Sequence, residues 1–230
     1  MIRPTILNKI QTSAIAIGFL SLAACSNTPV GTTTEDGLVL QADTQFDEVY
    51  LRPGVSLQNF AHYGIENCEV SFRKNWRRDQ NQQRPDVSNR VSEKNAEEIR
   101  QSLSEQCGKH LREALNSEPT LKVVEQFDTS DRVLVLRPSV IDLDIYAPDT
   151  DAPGINRSYT RSFGEMTLVL ELADANTGQV VGRVVEKRRG HDRSFLRPTN
   201  NLTNKFETDR ILRRWSEQVR ASLDSGLTRS

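Results

Sequence analysis

The chain has 230 residues, with 30 basic and 31 acidic side chains, so its formal net charge is only −1 at pH 7. Because Arg3 and Lys9 are the only charged residues among residues 1–24, the rest of the chain holds 28 basic and 31 acidic residues. This balance excludes the strongly basic footprint of a nucleic-acid-binding protein. The length suits a single domain with a substantial core.

The amino-terminal segment is organised like an export signal. Arg3 and Lys9 precede an apolar stretch from Ala14 to Leu22, which only Gly18 and Ser21 interrupt. This stretch is shorter than the about 20 apolar residues that a membrane-spanning helix needs. A cationic start, a short apolar core and small residues at the end are typical of a cleaved signal peptide. We therefore predict that residues 1–24 are removed on export.

The sequence Leu22-Ala23-Ala24-Cys25 resembles the lipobox of bacterial lipoproteins, which are cut before the cysteine. We predict that Cys25 becomes a lipidated amino terminus, with a thioether-linked diacylglycerol and an N-acyl chain such as palmitate. Two or three chains anchor a protein durably without a span. Ser26 follows the cysteine, which favours the outer membrane in enteric-type sorting. The alternative is an ordinary export signal followed by a chance cysteine.

The next segment, residues 26–44, is rich in Thr, Gly and Asp. We predict that residues 25–44 form the lipidated cysteine and a flexible tether. Residues 45–230 are predicted to form one periplasm-facing domain.

Apolar periodicity predicts two long helices in this domain. Ser92 is a suitable N-cap for a helix that continues to about Asn116, and a second helix runs from about Asn204 to Asp224. The predicted inward stripes are Ala96, Ile99, Leu103, Cys107, Leu111, Ala114 and Leu115 in the first helix, and Thr208, Ile211, Leu212, Trp215, Val219, Ser222 and Leu223 in the second.

Alternating and apolar stretches predict the strands Ile65–Phe72, Leu121–Glu125, Arg132–Tyr146, Met166–Leu172 and Gln179–Glu186. Pro138 indicates a bulge or a sheet edge. Asp174–Gly178 predicts a hairpin turn with the glycine at positive φ. This order of elements predicts an α+β domain, with a mostly antiparallel sheet of about four to five strands and two helices packed on one face.

The two remaining cysteines, Cys68 and Cys107, are an even pair in an oxidising compartment. Cys68 falls on the apolar face of a predicted strand, and Cys107 falls in the apolar stripe of the first helix. Both periodicities place the sulfurs in one core, which predicts a disulfide. The rival interpretation is a metal site that uses the Cys107-x-x-His110 spacing, but a closed zinc site needs four ligands and the sequence offers no further pair.

No nucleophile elbow, zinc-binding helix motif or phosphate-cradling glycine loop occurs in the chain. Asp142 and Asp144, two residues apart on a predicted strand, share a face opposite Ile141 and Leu143. We interpret this carboxylate pair as the solvated face of an amphipathic strand. A hydrolase that uses the pair is the alternative. No catalytic residue, cofactor or metal ligand is predicted.

The run Arg73–Asn81 surrounds a tryptophan with cations directly after a predicted strand. Its candidate binding residues are Arg73, Lys74, Trp76, Arg77 and Arg78, which suit a glycan, an anionic lipid or a protein partner. The alternative is a solvated loop whose tryptophan covers the edge of the domain. A second basic run, Lys187–Arg189 with His191 and Arg193, has the same two interpretations.

Together, the lipobox, the sequence FRKNWRRDQN of residues 72–81, the sequence ELADANTG of residues 171–178 and the last helix resemble a family of Gram-negative lipoproteins. That family is catalogued as a domain of unknown function, number three-three-one-three. The resemblance covers about residues 46–224. It implies a lipid-anchored periplasmic domain and supplies no activity or catalytic residues.

These observations predict a non-enzymatic, outer-membrane lipoprotein that faces the periplasm. Its expected role is to bind a protein or glycan as an accessory of envelope assembly, transport or peptidoglycan synthesis. A purely structural envelope lipoprotein is a further alternative. The membrane is an expected partner through Cys25, and nucleic acid is not.

Overall fold

The structure is a computed structural model, and it describes residues 33–82, 84, 86–117, 121–126, 132–145, 158–160, 164–189, 197–199 and 201–227. Short 3-10 helices occur at Leu57–Asn59 and Val87–Asn89. The other elements are strands β1 Val39–Leu40, β2 Glu48–Leu51, β3 His62–Ile65, β4 Glu69–Phe72, β5 Lys122–Val124, β6 Val133–Ile145, β7 Ser158–Thr160, β8 Gly164–Asp174, β9 Val180–Arg189 and β10 Arg197–Thr199, and helices α1 Trp76–Gln82, α2 Glu93–Ser117 and α3 Asn201–Asp224.

The main sheet has eight strands and is mixed, mostly antiparallel. Its order is β1-β2-β9-β8-β6-β3-β5, and β4 pairs with β6 beyond the end of β3. The strands β3 and β4 run parallel to β6, and β5 runs parallel to β3. The predicted α+β class is therefore confirmed. The predicted strand count was too low, because the stretch Ile65–Phe72 is divided between two strands and short edge strands complete the sheet.

Two of the helices, α2 and α3, pack on one face of the sheet, which we call the inner face. The hydroxyl of Ser92 accepts a hydrogen bond from the backbone N–H of Asn95 at 3.1 Å, which confirms the predicted N-cap. All predicted stripe residues of both helices are buried except Ile99 and Ile211, which are half-buried. They cover the inner-face residues Leu134, Leu136, Val140, Met166, Leu168, Leu170, Leu172 and Val184.

The proline in β6 is neither a bulge nor an edge residue, and that prediction was wrong. Pro138 is in regular register with Leu170. On the other side of β6, β3 ends opposite Leu136 and β4 begins opposite Ser139. The carbonyl of Leu136 points toward β3, because it accepts a hydrogen bond from the N–H of Glu66. Backbone groups two residues apart in a strand point the same way, so the backbone nitrogen and carbonyl of Pro138 also face this side. A residue without an N–H is tolerated there because it lies opposite the break between two strands.

The structure also corrects the boundary of the predicted tether, residues 25–44. Strand β1 pairs antiparallel with β2, and Leu38 is fully buried beside it. The carboxylate of Asp36 pairs with the guanidinium of Arg183 at 2.7 Å. Thr33–Leu40 therefore belongs to the domain, because its apolar residues complete one edge of the sheet. Residues 25–32, with Cys25, lie outside the described residues.

Of the helices that the structure describes, none combines the length and the apolar character that a bilayer span requires.

Candidate functional site

The segment after β4 carries the candidate binding residues, and part of it is helical. Asn75 adopts a left-handed backbone conformation with φ of 65°, and the helix α1 begins at the next residue. Asparagine tolerates this conformation better than other residues with a side chain, so it reverses the chain at little cost. The sequence analysis did not predict this helix. The turn fixes the direction of the side chains that follow it.

Trp76 lies inside the domain, with only 2% of its surface exposed. Its indole N–H donates a hydrogen bond to the backbone carbonyl of Ile145 at 2.8 Å. Its ring stacks on Phe72, with the centroids 3.9 Å apart and the planes at 10°. The indole is thus a packing element with a satisfied polar atom. The hypothesis that it forms part of a binding surface was wrong, because a ligand at the surface cannot reach its ring.

Arg73 joins α1 to the end of β6. Its Nη1 lies 2.7 Å from a carboxylate oxygen of Asp79, and its Nε lies 2.5 Å from a carboxylate oxygen of Asp144. The hydrogen bond from Arg73 holds the pKa of Asp79 below its usual range, and the same pairs raise the pKa of Arg73. Two hydrogen-bonded carboxylates orient the guanidinium, so Arg73 is a structural clamp rather than a free cation.

The other three cations of the run, Lys74, Arg77 and Arg78, point outward. Arg77 pairs with Glu93 of α2 at 3.0 Å, and Arg78 pairs with Asp79 at 3.2 Å. All three are exposed to solvent. The sequence-predicted site is thus reduced to an exposed group of three cations on the first turn of α1 and the turn before it. We call these three residues the cationic patch.

The two aspartates of β6 do not form the regular pair that the sequence suggested. A bulge interrupts the register between Ile141 and Asp144, and Asp142 occupies it with φ of 51°. The extra residue breaks the alternation, so Ile141 lies on the face opposite Leu143, contrary to the prediction. The carboxylate of Asp144 is held by Arg73. This geometry does not support a hydrolase that uses both carboxylates.

The second basic run reaches the same end of the sheet. Arg189 is the register partner of Glu165, which in turn is the register partner of Asp144. Arg189 also pairs with Glu165 at 2.9 Å. His191 and Arg193 lie outside the described residues. The topology thus brings together two basic runs that are far apart in the sequence, although carboxylates accompany both of them.

Two buried polar groups were not predicted as such from the sequence. The carboxylate of Glu186 is buried on the inner face of the sheet, where it accepts a hydrogen bond from the N–H of Asp47 at 3.0 Å and pairs with Arg188 at 2.9 Å. Burial raises the pKa of Glu186. His110, which the sequence analysis considered only in the spacing of a metal site, is buried and its Nε2 lies 2.8 Å from Asp209 of α3. Only the packing of helix on sheet and helix on helix creates these environments.

The disulfide is confirmed. Cys68 and Cys107 are bonded, with Cα atoms 6.1 Å apart, and the bond connects the residue before β4 to the middle of α2. The hydroxyl of Ser104 donates a hydrogen bond to the carbonyl of Cys68 at 2.6 Å, which holds the same junction. Because the sulfur of Cys107 is bonded to carbon and sulfur, it is not a ligand beside His110. Within the described ranges, no group of three residues could hold a metal ion.

Solved structures that are similar to this chain include distant likenesses at low sequence identity. No family model and no curated protein matches the chain. A PelC variant dodecamer from Paraburkholderia phytofirmans in space group C2 is similar, with 14% identity over 76% of this chain and 97% of that chain and a TM-score of 0.37. The PelC dodecamer in space group P6 has 12% identity, covers 79% and 96% of the two chains, and has a TM-score of 0.34. A putative neuraminyllactose-binding hemagglutinin homolog from Helicobacter pylori has 12% identity, covers 74% and 87%, and has a TM-score of 0.29.

Proposed function

We propose that this protein is a lipid-anchored, periplasm-facing lipoprotein of the outer membrane, and that it belongs to the lipoprotein family whose motifs it resembles. Its role is to bind an envelope protein or glycan as a non-enzymatic accessory of envelope assembly, transport or peptidoglycan synthesis. The observation that carries the binding role is the cationic patch, which stands on a rigid support formed by the buried Trp76 and the clamped Arg73.

Preorganisation is the physical reason why this patch suits binding. A flexible loop loses backbone conformational freedom when it binds, whereas the backbone of a fixed helix turn has already lost most of it. Trp76 and Arg73 anchor α1 to the last residues of β6, so Lys74 and Arg78 project from a defined position. Their charges suit a partner with carboxylate or phosphate groups.

The corrected domain boundary supports a short anchor. If Cys25 carries lipid, only residues 26–32 separate it from the first described residue, Thr33. Seven residues reach at most about 25 Å when fully extended. The domain would then work close to the membrane surface, within reach of partners that are themselves membrane-bound or attached to the cell wall.

The anchor is tested by fractionation of cells that produce the wild-type chain or Cys25→Ser. We expect the wild type to sediment with membranes and to incorporate radiolabelled palmitate. The serine variant should do neither, because the sulfur that accepts lipid is missing. Cys25→Ser protein that remains in the membrane fraction and retains the label would contradict the anchor.

The binding role is tested by photo-crosslinking in intact cells from residue 74 or 78, followed by mass spectrometry. Matched control positions are 94 and 109, because Lys94 and Lys109 are exposed cations on α2 with side-chain exposures of 85% and 67%. We expect one envelope protein or glycan adduct from the patch and none from the controls. Charge reversal by Lys74→Glu with Arg78→Glu should abolish the adduct, whereas Lys94→Glu with Lys109→Glu should retain it. Equal adducts from all four positions would refute a specific role of the patch.

A further inference from the structure

The first described segment of the domain, residues 33–51, is a hairpin at one edge of the sheet, and we call it the arm. Its strand β1 pairs with β2, which itself belongs to the arm. The N–H of Gln41 donates a hydrogen bond to the carbonyl of Val49 at 2.8 Å within the same hairpin. Of the described strands, only β9 joins the arm to the rest of the sheet, through its register with β2. The arm is therefore a local unit that is attached along one side.

Burial of apolar side chains holds the arm on the domain. Leu38 and Val49 are fully buried, and Phe46 packs with Val49 in the main core. Release of the arm would expose all three to water, so the open arm is a minor state. Its opening costs less free energy than global unfolding, because the helices and the other strands keep their own contacts.

Side-chain hydrogen bonds fasten the arm to β9 just before β2 begins. The N–H of Asp47 donates to Oε2 of Glu186 at 3.0 Å, and in return the N–H of Lys187 donates to Oδ2 of Asp47 at 2.7 Å. The other carboxylate oxygen of Glu186 lies 2.9 Å from the guanidinium of Arg188. Each strand thus bonds the backbone of the other through a carboxylate. We call this arrangement the junction.

The helix α3 closes the junction from the other side. Arg188 donates a hydrogen bond to the amide oxygen of Gln218 at 2.9 Å, and the amide nitrogen of Gln218 donates to the carbonyl of Gln45 at 2.7 Å. Strand β9, helix α3 and the arm therefore meet around the carboxylate of Glu186. This carboxylate stays buried only while the arm is in place, because Gln45 and Asp47 lie against it and its partners.

We infer that the arm is a releasable strap between the anchor and the domain, and that the junction of Asp47 with Glu186 is its lock. The arm is the part of the domain next to the tether, so a pull on the tether acts on the arm first. Because the arm is attached along one side, it can leave without breaking any strand pair other than that of β2 with β9.

The strap sets how far the domain reaches from the membrane, a consequence that rests on the proposed anchor at Cys25. While the arm is closed, the tether is residues 26–32 and spans at most about 25 Å. An isolated two-stranded hairpin is at best marginally stable in water, so the released arm unfolds. The tether then comprises residues 26–51, and its greatest reach rises to about 90 Å.

The lock weakens as the pH rises. Burial raises the pKa of Glu186 above its ordinary value of 4.5, and neither the N–H of Asp47 nor the charge of Arg188 cancels this effect. The charged groups that face Glu186 are Asp47 from the arm and Arg188 from β9, whereas α3 contributes the neutral Gln218. Release of the arm hydrates the carboxylate, so the closed arm binds the proton more tightly than the open arm. Opening is therefore favoured as the pH rises from about 4.5 through the raised pKa.

A second polar link of the arm responds in a lower pH range. The hydroxyl of Thr34 and the guanidinium of Arg183 hold the pKa of Asp36 below its ordinary value of 3.8. Asp36 is therefore ionised in both the closed and the open arm above about pH 5, and its bond to Arg183 contributes no pH dependence there. A change in arm opening between pH 5 and pH 8 thus reports Glu186.

Hydrogen exchange of the purified full-length chain, measured by mass spectrometry, detects release of the arm. After correction for the intrinsic exchange rate, peptides from residues 38–51 should exchange faster than peptides from residues 103–115 of α2. Their protection should fall at least about threefold between pH 5 and pH 8. Arm amides that exchange only together with those of α2 would overturn the strap. The measurement does not need lipid, so a failed anchor at Cys25 leaves this result standing.

Two variants identify the lock. Glu186→Gln retains the size and the hydrogen-bond acceptor but cannot ionise, so its arm should be equally protected at pH 5 and pH 8. The matched control is Glu165→Gln, which removes another carboxylate that pairs with an arginine of β9 but lies on β8, a strand that the arm does not pair with. It should keep the wild-type change. If Glu186→Gln keeps that change too, Glu186 is not the lock.

Discussion

Removal of the bond between Cys68 and Cys107 should produce a large loss of stability. The two residues are 39 positions apart in the sequence, and a crosslink of this span lowers the entropy of the unfolded chain. In the chain-entropy model the contribution to the free energy of unfolding is roughly 4 kcal/mol. This is a substantial part of the about 5–15 kcal/mol that stabilises a typical domain. The bond also joins β4 to α2, so that the reduced protein should lose structure there first.

The assay is urea unfolding of the full-length chain, followed by tryptophan fluorescence, with and without reductant. Reduction leaves both sulfur atoms in the core, so the shift of the midpoint reports the crosslink alone. The control is Cys68→Ala with Cys107→Ala, which should unfold at lower urea than the wild type and should not respond to reductant. A change below about 1 kcal/mol on reduction would show that the crosslink does not constrain the unfolded state as we reason.

Two further predictions concern strained and buried groups. Gly164→Ala should destabilise the domain by more than about 2 kcal/mol, because φ is 123° and a Cβ would lie 2.1 Å from the carbonyl oxygen of Asp144. The matched Gly178→Ala, where φ is 68° with open space around the Cβ, should lose only about 1 kcal/mol in the same urea assay. Burial raises the pKa of Glu186 above its ordinary value of 4.5, so this carboxyl ionises more readily in the unfolded chain than in the folded one. The wild type should therefore lose stability as the pH rises from about 4.5 through the raised pKa. Glu186→Gln should lack this decrease, and identical pH profiles of the two proteins would contradict the assignment.

The helices and the disulfide could be predicted because their signals are local and strong. The stripes of α2 and α3 repeat at helical spacing over more than four turns each, and a stripe of that length has one way to face a core. Cys107 lies within such a stripe and Cys68 on a predicted apolar face, so two separate patterns agreed. The hairpin of β8 and β9 was equally clear, and Gly178 adopts the positive φ that its turn requires.

The candidate site was predicted less well, because its environment depends on distant parts of the chain. Trp76 lies in a polar run, and nothing within that run indicates that the end of β6 buries its ring. The sequence does not distinguish Arg73 from the other cations of its run, because the carboxylates that hold it lie on α1 and β6. The alternating pattern of the sequence does not reveal the bulge at Asp142. One inserted residue moves every later side chain of the strand to the other face of the sheet.

The sequence by itself determined the α+β class, the two long helices, the hairpin and the crosslinked pair, because a repeating apolar pattern constrains the chain wherever its neighbours lie. Only the tertiary structure decided that Val39–Leu40 joins the sheet, that β3, β4 and β5 run parallel to their neighbours, and that Trp76 is interior. These features depend on contacts between segments far apart in the chain. Pairing of short strands and burial of single aromatic rings gain their free energy from such contacts, and the local sequence does not record them.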